Sequence, residues 1–351
     1  RPPRSTLFPY TTLFRSLKKQ IEELYRKHPE EARDSFGEDP FEVKNILKYW
    51  VFSEKPEFHV IPTDTINIHI DKDALLRSGI MLPKTIRHLK GEDLKDAIPD
   101  KLYIPLTDIR MLTKVDLLML EMLANCNWER PLYLAISVGS VSKLKFDNYF
   151  VQEGLAFRFT PFDYKKWGDV GENRLYAVDV ERLYNNVMNR YKYGGLDTPG
   201  LYLDETTLRT CWYHRRLFAQ LAKELIAQGD NERAKKVLAY AEQVIPGYNV
   251  PETHESGSYD IATAYAALGE KTKAVTLAVH LIAEAEDYIN WAFSLKGNRI
   301  EMVRNDCIYK FWQWNQYNEL LKKIDGEKYK ESNRRFEEKY ALFAPTMNYK
   351  N

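Results

Sequence analysis

The sequence predicts a mainly helical α+β protein. A small mixed α/β lobe covers residues 17–200, and an α-solenoid of paired helices covers residues 201–351. Three observations lead there. Short β-branched runs alternate with helical patterns through the first half. A turn-rich stretch at residues 194–200, GGLDTPG, marks a boundary. Beyond Asp204 the apolar spacing is helical to the end, and a set of small residues recurs at fixed offsets.

In order, Leu17, Ile21, Leu24 and Tyr25 share one face of a first helix. Residues 37–40, GEDP, predict a second, with Asp39 as N-cap, Pro40 in the first turn, and Phe41, Ile46, Leu47 and Trp50 facing a sheet. Strands are expected at 58–61 and 65–70, joined by the Pro62-Thr63-Asp64 turn. The second alternates Ile66, Ile68 and Ile70 with Asn67 and His69. A short helix at 71–79 closes on Gly79, and residues 83–100 read as a charged loop, a place for disorder or insertion. A strand follows at 102–106. Thr113 with Asp116 predicts a capping box on a helix at 113–124, with Leu117, Leu118, Met119, Met122 and Leu123 as its core side. Strands are expected at 132–138, 155–159 and 176–178, and strands separated by helices suggest parallel pairing.

In the helical half, Leu221, Ala222, Leu225, Gly229, Ala234, Leu238, Ala241 and Pro246 fall at the offsets of a tetratricopeptide helix pair. Ile261, Ala262, Tyr265, Gly269, Ala274, Ala278 and Leu281 repeat the pattern about 40 residues on, against a consensus of about 34, which puts the extra residues in the 247–257 loop. A third pair at 300–324 and 328–343 keeps the consensus poorly. So short an array must brace itself elsewhere, and the long helix 207–228, with Leu208, Cys211, Trp212, Phe218, Leu221 and Leu225 on one face, is placed to help.

Composition narrows the function classes. With 51 basic and 50 acidic residues, no lobe has the basic excess of a nucleic-acid or anionic-membrane binder. The most apolar run, 115–126, is broken by Asp116 and Glu121 and is too short to span a bilayer, so a soluble piece is expected. Cys126, Cys211 and Cys307 lack zinc or redox spacing and read as buried apolar side chains; one disulfide stays open. Residues 6–16, TLFPYTTLFRS, read back into codons as a common sequencing adapter, and 1–5 as more of the same. Residues 1–16 are therefore set aside as a non-native artefact, with the native N-terminus expected to be missing.

Few groups invite chemistry. His59, His69, Asp64, Asp71 and Asp73 could be drawn as a metal site but lack ligand spacing, so capping and packing are expected. Asp204 and Glu205 read as a helix cap rather than an acid pair. Trp128, Glu129 and Arg130 have the make-up of a carbohydrate contact, or of a buried indole with a Glu–Arg pair pinning a helix-to-strand junction. Phe311, Trp312, Trp314 and Tyr317 cluster on one helix, where Trp312 and Trp314 cannot face the same way. The candidate binding residues are thus Trp128, Glu129, Arg130, Trp312, Trp314 and Tyr317. No phosphate loop, nucleophile elbow or Cys–His constellation is present, and no catalytic residue, metal or cofactor is expected.

Residues 123–135, LANCNWERPLYLA, resemble the helix-to-strand junction of a bacterial family of multi-pass membrane proteins similar to protein O-mannosyltransferases. FGED (36–39), IPTD (61–64), QEGLAFR (152–158) and YLDETTLR (202–209) extend the resemblance in order across nearly the whole chain. It implies a GT-C-type, lipid-phosphosugar-dependent membrane half that is absent here, with the catalytic acid in it. This region would then be a non-catalytic tail on the extracytoplasmic (periplasmic) side. Its expected partners are an acceptor protein or peptide and the missing transmembrane domain, with membrane contact only through the latter. A self-standing glycan-binding or carbohydrate-active unit, and a general tetratricopeptide scaffold, are the alternatives.

Overall fold

The structure is a computed structural model that describes residues 10–13, 17–55, 59–138, 144, 146–171, 176–295 and 299–347. Residues 1–9 and 14–16 of the adapter-like segment, and Phe58 of the first expected strand, lie outside the described residues. The chain divides into two compact units, Arg1–Asp179 and Val180–Asn351.

The first unit runs β1 (Tyr10–Leu13), α1 (Leu17–Lys27), α2 (Pro29–Phe36), α3 (Val43–Ile46), a π-helical turn Leu47–Val51, β2 (Val60–Ile61), β3 (Thr65–His69), α4 (Lys72–Arg77), α5 (Gly91–Ala97), β4 (Lys101–Pro105), β5 (Met111–Thr113), α6 (Lys114–Asn125), β6 (Tyr133–Ala135), β7 (Phe150–Gln152), β8 (Ala156–Phe159) and β9 (Ala177–Val178). Strand orders are β2-β1-β5, β3-β4 and β6-β8-β7-β9.

In the β3–β4 pair, Ile66 faces Ile104 and Ile68 faces Leu102 across an antiparallel register, so the predicted alternation buries all four. Asn67 should face solvent but is also buried; its backbone N–H donates to the Phe41 carbonyl (2.9 Å) in the turn before α3. That turn corrects the expected cap. Asp39 does not start the helix: α3 begins at Val43, and Asp39 accepts from the Phe41 amide (2.9 Å) and from Lys101 Nζ (2.5 Å) on β4. Gly37, just before, has φ +84°, and a Cβ there would lie 2.6 Å from the Asn45 side chain, so both backbone and space demand glycine.

The Asp39–Lys101 contact gives a pH dependence. Burial alone would raise the Asp39 carboxyl, but the Lys101 and Phe41 hydrogen bonds outweigh it and hold it below its ordinary 3.8. A depressed folded pKa gives stability that is complete above the unfolded value and lost as pH falls through the folded one. Urea midpoints of the first unit should therefore drop on acidification below about pH 4, with a shallower slope in Asp39→Asn. Equal slopes would show that Asp39 does not feel Lys101.

Other expectations shift. Residues 83–100 are folded rather than loose: Ile86 and Ile98 are buried and α5 lies between them. On α6 the Thr113–Asp116 capping box is formed in both directions. Its buried face is Leu117, Leu120, Leu123 and Ala124, while Leu118 and Met122, expected inside, are exposed. Apolar residues ring this helix, so spacing could not fix its rotation. Among the described strands, β1–β2 and β7–β9 pair in parallel, whereas β1–β5, β3–β4, β6–β8 and β7–β8 are antiparallel. A three-residue turn makes a β7–β8 hairpin that the sequence reading missed, because three-residue strands show no period. The Tyr10–Leu13 backbone pairs with β2 and β5. Tyr-Thr-Thr-Leu has strand propensity, and a segment's coding origin does not decide whether it can pair.

The second unit runs α7 (Val180–Asn185), a π-helical turn Asn186–Arg190, α8 (Glu205–Ala227), α9 (Asn231–Val244), α10 (Ser258–Ala267), α11 (Lys271–Ser294), α12 (Arg299–Met302), α13 (Arg304–Ile324) and α14 (Gly326–Met347). Helices α8 and α9, α10 and α11, and α13 and α14 fold back on each other; α8 also packs on α10, and α11 on α13. Ala222, Ala234, Ala241, Ala262, Ala274 and Ala278, the small residues of the recurring pattern, are all buried, which allows the helix backbones to approach closely. Asp204 caps α8, accepting from the Thr206 and Thr207 amides. The turn-rich residues 194–200 lie inside this unit. Asn249 donates to the Leu196 and Thr198 carbonyls (2.7 and 2.6 Å) and Tyr248 to that of Asp197 (2.6 Å).

Candidate functional site

In the first unit, the candidate residues sit on the turn that ends α6. Asn127 (φ +47°) and Trp128 (φ +61°) are consecutive left-handed residues, a conformation costly for any side chain but glycine and worst for a bulky one. The turn is held from several sides. Lys44 Nζ donates to Asn127 Oδ1 (3.0 Å), Trp128 Nε1 donates to the His69 carbonyl (2.7 Å), and the indole stacks on Phe159 at 6.3 Å. Trp128 is buried, so both its ring and its N–H serve the core.

Glu129 and Arg130 are exposed and point into different surroundings. Glu129 lines an open groove of about 610 Å³ with Glu42, Lys44, Asp71, Lys72, Asp73, Glu92, Lys95, Asp96 and Asp100. Arg130 borders a small crevice with Ser78, Cys126 and Arg158. Four of the groove's seven acids are engaged: Asp73 (2.7 Å) and Glu92 (3.6 Å) pair with Lys95, Asp100 with Lys72 (2.8 Å), and Asp71 caps α4 through the Ala74 amide. Asp73 and Asp100 are held below the ordinary carboxylate range by those lysines. Asp64 pairs with Lys18 (3.2 Å), and His59 Nε2 meets the Ser53 carbonyl (2.7 Å). Among the described residues no cluster of three or more His, Cys, Asp or Glu side chains could hold a metal ion. A buried pair that sequence reading missed, Glu153 and Arg158 (3.6 Å), lies in the QEGLAFR stretch; Arg158 also donates to the Ser78 carbonyl and hydroxyl, and Tyr133 to Glu153.

In the second unit α13 separates its tryptophans. Trp314 is fully buried, donating Nε1 to Ser332 Oγ (2.8 Å) on α14, which donates on to Asn318. Tyr317 is buried, with its hydroxyl 2.9 Å from His254 Nδ1. Trp312, by contrast, is 49 % exposed and stacks on Tyr309 one turn back, at 5.6 Å and 11°. His254 meets both rings edge-on and stacks on Tyr259; burial pushes its imidazole below the ordinary 6.5. Tyr309 and His254 are the site residues the sequence did not yield. Tyr309 had a signal, its i,i+3 spacing from Trp312; His254 had none.

His254 belongs to the 245–257 loop, and the loop is fixed by a buried cation. Arg215 donates to the carbonyls of Pro251 (2.8 Å), Ile245 (3.0 Å) and Val250 (2.6 Å) and to Ser256 Oγ (3.1 Å). Burial pulls its pKa from 12.5 to about 10, with Glu252 and Cys211 opposing, so it stays charged at neutral pH. Cys126, Cys211 and Cys307 are separate buried thiols, each raised by burial. Among the described residues no helix is long and apolar enough to cross a membrane.

No curated protein and no solved structure matches the chain. Residues 11–181, just under half of it, are similar to the family described as TMEM260-associated domain 2.

Proposed function

We propose that this chain is the non-catalytic, extracytoplasmic (periplasmic) region of a membrane glycosyltransferase-like protein, and that its helical unit positions the acceptor protein or peptide. The observation that carries the reading is the likeness of residues 11–181 to a TMEM260-associated domain, which supports a glycosyltransferase-related parent in keeping with the O-mannosyltransferase resemblance of the sequence. The polar residues of the resembling motifs support a non-catalytic part. Asp39 and Thr63 are engaged in turns, Asp204 in a helix cap, Asp64 in an ion pair with Lys18 and Arg158 with the Ser78 carbonyl. The stacked helix pairs, with small residues buried at their contacts, support a tetratricopeptide-like docking surface. Photo-crosslinkers placed along residues 215–343 of the full-length protein should yield adducts with the acceptor polypeptide. Their absence there, with adducts elsewhere on the protein, would remove the helical unit from acceptor binding.

A further inference from the structure

We propose that the crevice bordered by Arg130, in the first unit, binds a carboxylate and seats one of its oxygens on the Nε–H of Arg158. Arg158 lines this crevice and is 3 % exposed. Both its Nη atoms are in use. They donate to the Gly79 carbonyl (3.4 Å), the Ser78 carbonyl (3.0 Å) and Ser78 Oγ (2.8 Å), and Glu153 lies 3.6 Å away. Nε alone has no acceptor among the described residues. A buried N–H of a charged group left without one is costly, and an oxygen in the space beside it removes that cost.

Size and charge both select the ligand. The crevice measures about 10 Å³, room for a single oxygen-sized atom. Besides the two arginines, its polar side chains are Ser78, Cys126 and Trp128, and all three already donate, to the Leu75, Leu123 and His69 carbonyls (2.6, 3.2 and 2.7 Å). No acid lines it; Glu129 and the other acids of the neighbouring groove line that groove instead. Glu153 answers one of the two guanidinium charges. Arg130, exposed and without an ion-pair partner among the described residues, leaves the other unmatched. One surplus positive charge suits a monoanion better than a dianionic phosphate. The planar fork of Arg130 matches the second oxygen of a carboxylate whose first oxygen has entered. Leu75, Ile80, Leu132 and Phe159 complete the wall, and apolar walls strengthen a charge-assisted hydrogen bond.

The Nε–H resonance of Arg158 reads the site without altering it. Nitrogen–proton correlation spectra of the 351-residue chain are recorded at neutral pH and constant ionic strength, with acetate and with the tripeptide Gly-Glu-Gly, N-acetylated and C-amidated. At least one of the two should move that resonance downfield with Kd of about 1 mM. Arg130→Gln, a change confined to an exposed side chain, should weaken the binding at least tenfold, and Arg110→Gln, at another exposed arginine of the unit, should leave it unchanged. Tighter binding of the tripeptide makes an acidic polypeptide segment the carrier, and equal or weaker binding makes it a free acid; either result upholds the carboxylate. A resonance that neither probe moves, or one that moves undiminished in Arg130→Gln, would overturn the assignment. So would methyl phosphate binding more tightly than both carboxylates.

Discussion

Arg215→Met should destabilise the helical unit by about 3 kcal/mol or more. The guanidinium supplies donors to three carbonyls and a hydroxyl, and each buried acceptor left without one costs roughly 1–3 kcal/mol. Methionine fills most of the volume, so the loss reports the hydrogen bonds rather than a cavity. Arg215→Lys keeps the charge but not the planar fork, and a single ammonium cannot reach the same acceptors, so a smaller loss is expected. Urea unfolding followed by hydrogen exchange would locate the effect. Amides of residues 245–257 should lose protection first, and His254, seated in that loop, should loosen with them. Full protection in the methionine variant would show that helix packing alone holds the loop.

Trp128→Ala should cost the first unit about 3–5 kcal/mol, the usual loss for a large buried aromatic. Three contributions go together: the indole area, the stack on Phe159 and the donor to the His69 carbonyl. Trp128→Phe separates them. It keeps a ring against Phe159 but leaves the carbonyl unpaired, a loss of about 1–2 kcal/mol. Denaturant midpoints of the two variants should rank in that order. Two alanine-like results would mean that the hydrogen bond, not the ring, holds the turn in its strained left-handed conformation. No loss in either would mean that the turn holds without Trp128.

Sequence carries structure most directly where the physics is local. Caps are the clearest case. Thr113 with Asp116, Asp71 and Asp204 all meet amides within three residues, so a short window contains the whole interaction. The recurring alanines were equally legible, because close helix approach selects small side chains at helical spacing. The alternation in β3 likewise names Ile66 and Ile68 as buried, although Asn67 between them is buried too. The opposed directions of Trp312 and Trp314 follow from helix geometry, though which of them would be buried does not.

The sequence by itself thus determined the α+β class, the helical second half, the caps and the composition of the candidate sites. Tertiary structure alone decided the rotation of α6, the mainly antiparallel strand pairing, the use of Asp39 to bind β4, and the placing of residues 194–200 within the helical unit. It also decided that Trp128 belongs to the core while Trp312 stands open beside Tyr309 and His254. The reason is range. A cap or an alternating strand is settled by neighbours a few residues away, whereas Arg215 meets carbonyls 30 or more positions on, and His254 meets rings more than 50 positions on. Such contacts leave no period in the chain, and only folding brings their partners together.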